Sequence, residues 1–230
     1  MSLNKSTGNM YPWITHTWNP IRGKCPHDCS YCYMKQFSVG RLRFEKGELQ
    51  TDLGAGNIIF VGSSCDMFAG PVVTDWISAV LKKCRQYNNK YLFQSKNPQK
   101  MNDYIMEFPD GSILGTTIES NRNYELSKAP SISQRVKWIK AISESIAFDF
   151  IISIEPILDF DLQPFVEMIR SIEPWCVSIG ADSKHHNLPE PTPQKLRQLI
   201  TALQKFTDVK IKDNLMRLLR GIYEPDRYSI

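Results

Sequence analysis

Short apolar runs alternate with longer stretches of mixed polarity along most of this 230-residue chain. Residues 58–61, 91–93, 112–118, 150–154 and 175–179 are runs rich in β-branched, aromatic and other apolar residues, and they predict strands, with Val209-Lys-Ile-Lys212 a short last one. An aromatic and β-branched segment at 11–18 predicts one more strand ahead of them. Between the runs, apolar residues recur at helical spacing. Trp76, Ile77, Val80, Leu81 and Cys84 share one face of a helix starting near Pro71 or Thr74. Asn97-Pro98 opens a helix through Tyr104 and Ile105. Ser131-x-x-Gln134 is a capping box ahead of Val136, Ile139, Ile142 and Ile146. Leu162, Phe165, Val166, Ile169 and Ile172 form the next stripe, and Thr192-Pro193 opens a helix bearing Leu196, Leu199, Ile200, Leu203 and Phe206. A last helix over 213–220 stops at Gly221.

Strands that are apolar on both faces belong to parallel sheets covered by crossover helices. Six or seven such units predict an α/β fold, a partial, open (β/α) barrel with six or seven parallel strands. A doubly wound open sheet is the alternative. No Pro/Gly/Ser-rich linker or block of like charge interrupts the pattern, so residues 1–230 read as one domain.

Composition narrows the class. The hydrophobic fraction of 42% and charged fraction of 23% are those of an ordinary globular protein. No apolar run approaches the roughly 18 residues of a membrane span, and no secretory leader is evident, so no membrane partner and a cytoplasmic location are expected. The net charge of +4 permits an anionic partner without demanding one.

Half of the six cysteines fall within eight positions, as Cys25-x3-Cys29-x2-Cys32. Cys84 and Cys176 lie in apolar patterns, where cysteine acts as a small hydrophobe, and the clustering of the rest fits a reducing compartment. Closely spaced thiolates suit zinc or an iron–sulfur cluster. Structural zinc closes with four ligands, which His16 or His27 would have to complete. Three cysteines on a four-iron cluster leave one iron open to substrate or cofactor.

Function in βα folds collects where strands end. Those ends carry Ser63, Ser64, Cys65 and Asp66, then Ser95 and Lys96, Thr116, Thr117 and Glu119, Ser153 and Glu155, Asp182, and Lys210 and Lys212. One by one they read equally well as caps and solvated charges. As a set they have the polarity that surrounds a zwitterionic cofactor. Cys65 is the outlier, a thiol on the same rim as the cysteine triplet, suited to hydrogen-atom donation, to substrate binding or simply to burial.

The cysteine spacing, with Tyr31 just before the third cysteine, resembles the signature of the radical S-adenosylmethionine (SAM) superfamily. The Ser153-Ile154-Glu155-Pro156 segment, Thr116 to Glu119, and Lys96 are similar to a narrower, largely phage-associated radical-SAM-like family of unknown activity. The resemblance implies that Cys25, Cys29 and Cys32 hold a 4Fe-4S cluster whose fourth iron is chelated by the SAM amine and carboxylate. Gly62 to Asp66 lies where such proteins hold the methionyl amine, here without the Gly-Gly-Glu form, which gives that contact to Asp66 or to Ser63 and Ser64. Thr116 and Glu119 would meet the ribose and methionyl groups, Ile157 would pack on adenine, and Tyr31 would flank adenine beside the cluster. Lys96 and Glu155 complete the implied cofactor contacts. The implied chemistry is reductive SAM cleavage and hydrogen-atom abstraction, fed by an electron donor such as flavodoxin or ferredoxin.

For the substrate, a nucleotide or nucleic acid is expected ahead of a peptide. Lys35, Arg41, Arg43 and Lys46 interleave with Phe37 and Phe44, and Lys210, Lys212, Arg217 and Arg220 cluster near the C-terminal end. The rival reading is a non-catalytic, zinc-stabilised nucleic-acid-binding module. His185-His186 suggests a metal pair, although adjacent loop histidines are more often simply solvated.

Overall fold

Every strand expected from the apolar runs forms, and the register between them decides the architecture. The computed structural model describes residues 3–7, 10–145, 147–184 and 186–220. Ile146, His185 and Gly221, each part of an expectation above, lie outside the described residues. The strands in chain order are β1 (Asn4–Lys5), β2 (His16–Trp18), β3 (Ile21–Arg22), β4 (Arg43–Phe44), β5 (Ile58–Val61), β6 (Lys90–Gln94), β7 (Ile113–Thr117), β8 (Asp149–Ile154), β9 (Cys176–Ile179) and β10 (Asp208–Ile211). The helices are α1 (Thr74–Cys84), α2 (Pro98–Asn102), α3 (Ile132–Ser145), α4 (Leu162–Arg170), α5 (Pro193–Leu203) and α6 (Met216–Leu219).

The main sheet runs β1-β2-β5-β6-β7-β8-β9-β10. From β2 to β10 all seven strands are parallel, and only β1 is antiparallel, on the β2 edge. Each crossover therefore moves one place in the same direction. A doubly wound sheet needs a reversal of strand order, and none occurs among the described residues. The sheet is a partial barrel, open rather than closed.

Its two faces are covered differently. Ile59, Val61, Tyr91, Phe93, Leu114, Ile152, Ile154, Val177 and Ile179 pack with the apolar stripes of α1, α3, α4 and α5 in the main core. The alternate residues Leu92, Ile113, Ile151 and Cys176 point to the concave face and pack with Tyr11 and Ile14. The segment expected to be strand from residue 11 is thus strand only from His16, and residues 10–14 fold across the barrel interior instead. The same aromatic and β-branched residues suit either role. An incomplete barrel leaves an apolar inner face to be covered, and that contact decides.

Residues 30–40 form only a short 3-10 turn, Tyr33–Gln36. The basic stretch that follows contributes β4, which pairs with β3, and Phe44 stacks on Trp76 with ring centroids 5.7 Å apart. No helix is long and apolar enough to cross a membrane among the described residues.

Candidate metal and cofactor site

The strand pleat sorts the strand-end residues by face. Gln94, Thr117, Ser153 and Ser178 alternate with core residues and share the concave side with Leu92, Ile113, Ile151 and Cys176. Tyr11 donates from below to Gln94 Oε1 (2.7 Å), and Gln94 Nε2 donates to Thr117 Oγ1 (3.2 Å). Ser178 Oγ is buried there without a hydrogen-bond partner. Thr116 falls on the helix side beside Leu114, and its hydroxyl is also buried and unpartnered. Ile157 belongs to the helix-side core too. The structure therefore brings Thr117, not Thr116, to the interior.

The cysteine loop lies above this rim. Its start depends on Gly23, whose φ is +108° and whose place a Cβ could not share, since it would lie 2.2 Å from the Arg41 carbonyl oxygen. Asp28 N–H donates to the Cys25 carbonyl (3.1 Å) and Cys32 N–H to that of Cys29 (3.2 Å), so the loop winds as two successive turns. The loop is stitched to a second segment by Ser30 N–H to Leu126 O (2.8 Å) and Lys128 N–H to His27 O (2.7 Å). Cys29 is buried, Cys25 and Cys32 are half-buried, and all six cysteines are free thiols.

Cys65 is brought against Cys25. A hydrogen bond from the Cys65 thiol is the main reason the Cys25 thiol is lowered to about 6, and the same bond pushes Cys65 up. Burial raises Cys29, against the opposing charge of Lys96.

Asp66 is saturated by protein donors. Its Oδ2 pairs with His27 Nε2 (2.8 Å) and accepts from Ser95 Oγ (2.9 Å) and Lys96 N–H (2.8 Å), while Oδ1 accepts from Phe68 N–H (2.9 Å). Burial works against ionisation of both partners, but their mutual charge and hydrogen bond win, so His27 is raised and Asp66 lowered. Because His27 sits midway between Cys25 and Cys29, this pair ties the cysteine loop to the ends of β5 and β6.

Glu119 is the centre of a second buried network. Lys96 Nζ donates to Glu119 Oε1 (2.6 Å) and to the Tyr31 hydroxyl (2.9 Å), and Tyr31 donates to Glu119. Arg135 Nη1 donates to Glu119 Oε2 (2.9 Å). Burial alone would raise the Glu119 carboxyl, yet Lys96 and then Arg135 hold it at about 2. Burial, followed by the Glu119 charge, raises Tyr31.

The remaining expected residues are placed as follows. The hydroxyls of Ser63 and Ser64 both donate to Asn19 Oδ1, at 3.2 and 3.0 Å. Glu155 accepts from Lys212 Nζ (2.6 Å) and Asn214 Nδ2 (2.9 Å), in space that a Cβ at Gly180 would fill. His16 bonds Thr15 (2.9 Å) and His186 bonds Asp182 (2.7 Å). Arg43 is paired with Glu45 (2.5 Å), whereas Phe37 is exposed.

Sequence reasoning missed Tyr11, Asn19, Gln94, Arg135 and Asn214. For Arg135 a signal existed. It occupies the apolar stripe of α3, three residues after Ile132 and four before Ile139, where a charge needs a buried partner.

Three soft sulfur donors on one loop, an adjacent ammonium and an unsatisfied hydroxyl in the interior fit an iron–sulfur cluster with a polar ligand beside it. Among the described residues, no three His, Cys, Asp or Glu side chains converge as a single metal ion requires.

The sequence matches, over residues 9–189, the family described as protein of unknown function (DUF5131). No curated protein matches it. Solved structures of spore photoproduct lyase share its fold. A cysteine-to-serine mutant aligns with a TM-score of 0.64 at 8% identity, covering 90% of this chain and 78% of that one. A cysteine-to-alanine mutant gives 0.65 at 8% identity, covering 91% and 80%. A double mutant with bound AdoMet and dinucleoside spore photoproduct gives 0.55 at 9% identity, covering 89% and 66%. The likeness is one of fold.

Proposed function

We propose that this chain, which belongs to the DUF5131 family of proteins of unknown function, is a radical SAM enzyme acting on a nucleotide or nucleic acid. The observation that carries the reading is that Cys25, Cys29 and Cys32 lie close together on one loop at the mouth of an open barrel, whose apolar floor gives way to polar groups at the strand ends. In this reading the three thiolates hold a 4Fe-4S cluster. When bound, cluster and SAM together supply an electron and a 5′-deoxyadenosyl radical that abstracts a hydrogen atom.

The chain's own residues hold and shield that chemistry. Lys96 faces Cys29 and, with Arg135, keeps Glu119 ionised, so that Glu119 presents a fixed carboxylate and orients Tyr31 at the loop. Asn19 fixes Ser63 and Ser64, leaving their hydroxyl oxygens as oriented acceptors. Glu155 and Lys212 place opposite charges side by side at the rim. Asp66 acts through His27 and Lys96 rather than on the cofactor. Cys65 lies against Cys25 on the rim, where a thiol is placed to donate a hydrogen atom. Tyr11 to Ile14 close the floor against water. The reducing cytoplasm suits six free thiols.

The substrate class draws support from exposed Phe37 beside the loop, and from the dinucleoside held by a protein of the same fold. The zinc-module alternative needs four convergent donors, and the geometry favours it less.

The test is anaerobic purification with iron, sulfide and zinc analysis. A brown protein is expected, whose iron and sulfide are lost in Cys25→Ala, Cys29→Ala or Cys32→Ala and kept in Cys84→Ala. After reduction it should release 5′-deoxyadenosine and methionine from SAM. Stoichiometric zinc without labile sulfide would end this reading.

A further inference from the structure

The cysteine loop has an outer side that the proposed chemistry inside the barrel does not use. A cleft of about 560 Å³ lies against it, lined among others by Lys24, Cys25, Pro26, Arg41, Leu42 and Lys128. None of the interior groups Gln94, Lys96, Glu119 or Tyr31 borders it. Cys25 thus faces two ways, towards Cys65 on one side and this cleft on the other.

The charge around the cleft is one-sided. Lys24 and Arg41 are exposed and make no salt bridge among the described residues. Lys35 and Lys128 share a single carboxylate, Asp28, at 3.2 and 3.0 Å. Three cations, Lys24, Arg41 and Lys128, therefore line the cleft against one acid, Asp28, with Pro26, Val39 and Leu42 forming an apolar strip between them. An apolar centre with a charged rim is the anatomy of a transient protein interface. No aromatic ring lines the cleft, so it lacks the stacking faces that a nucleic-acid strand uses.

We propose that this cleft is the docking surface for a small, acidic one-electron carrier, which delivers its electron through Cys25. The proposal rests on the reading that Cys25 holds a redox centre. Reductive cleavage consumes one electron, and that electron must enter from outside a barrel whose floor is plugged by Tyr11 to Ile14. One electron leaves the reduced carrier, the carrier is oxidised by one, and the iron centre is reduced by one. Cations around the entry point steer an anionic carrier and orient it, an effect that salt screens.

The experiment mixes the anaerobically reconstituted full chain with reduced flavodoxin, an acidic carrier, and follows bleaching of the cluster absorbance by stopped flow. The reference is photoreduced deazaflavin, an uncharged small reductant. In Lys24→Glu/Arg41→Glu, the flavodoxin rate relative to the deazaflavin rate should fall at least about tenfold, and high salt should produce a similar loss in the unaltered chain. An unchanged ratio, or a rate indifferent to salt, overturns the docking proposal while the function stands. Failure of any iron–sulfur chromophore to form overturns the functional reading itself. An oligothymidylate that binds this cleft and loses affinity in the same variant, with flavodoxin reduction unaffected, assigns the surface to nucleic acid and also overturns the proposal.

Discussion

Asp66→Asn separates two roles for this carboxylate, as a cofactor contact and as the tie that holds the cysteine loop. Four protein donors meet its two oxygens at 2.8 to 2.9 Å. Asparagine keeps one oxygen. Its best placement leaves that oxygen with His27, Ser95 and Lys96 and turns its NH2 towards the Phe68 N–H, donor against donor. An unsatisfied buried N–H costs about 1–3 kcal/mol. Breaking a buried charge pair by removing one partner costs about 3–5 kcal/mol, of which the retained His27 hydrogen bond recovers part. Together these give roughly 4 kcal/mol, or about 8–16 °C in Tm for a domain of this size. The assay is thermal unfolding of the metal-free, reduced chain, alongside the rate at which a chelator strips iron from the reconstituted protein. Both should worsen, and His27→Gln should reproduce part of the loss non-additively with Asp66→Asn. A variant that melts within about 2 °C of the original but binds SAM poorly would refute the argument and return Asp66 to the cofactor.

Two further outcomes follow from the buried groups. Glu119 is held at about 2 against an unfolded value of 4.5, so the folded state binds fewer protons between these values. Its contribution of ~3 kcal/mol is complete above the unfolded value and is lost as pH falls towards the folded one. Acid titration of stability should show this limb, and Glu119→Gln should flatten it. Thr116→Val replaces a buried hydroxyl that lacks a partner with a methyl group of the same shape, and calorimetry should find it neutral or more stable by about 1 kcal/mol. A clear loss of stability would mean that the hydroxyl is hydrogen-bonded.

Local chemistry determined much of this protein from the sequence alone. Five of the seven parallel strands, β5 to β9, were legible because each is a short apolar run. Helix α5 was legible because Thr192 caps it, accepting from Lys195 N–H, and its apolar stripe keeps the helical period. The cysteine triplet was legible because its donors are close in sequence. Tertiary structure decided what those signals leave degenerate. Thr116 and Thr117 are equivalent in sequence, and only the pleat phase, fixed by pairing with β8, sends one to the interior and the other to the core. Tyr11 to Ile14 have strand composition, yet an uncovered concave face claims them. Asp66 looked like a free carboxylate until His27, 39 residues away, and Lys96, 30 residues away, were folded onto it. Periodicity and spacing are properties of neighbouring residues and survive in the sequence. Which donor meets a buried carboxylate is set by loops that converge only after the sheet has formed, because burial makes pairing obligatory without naming the partner.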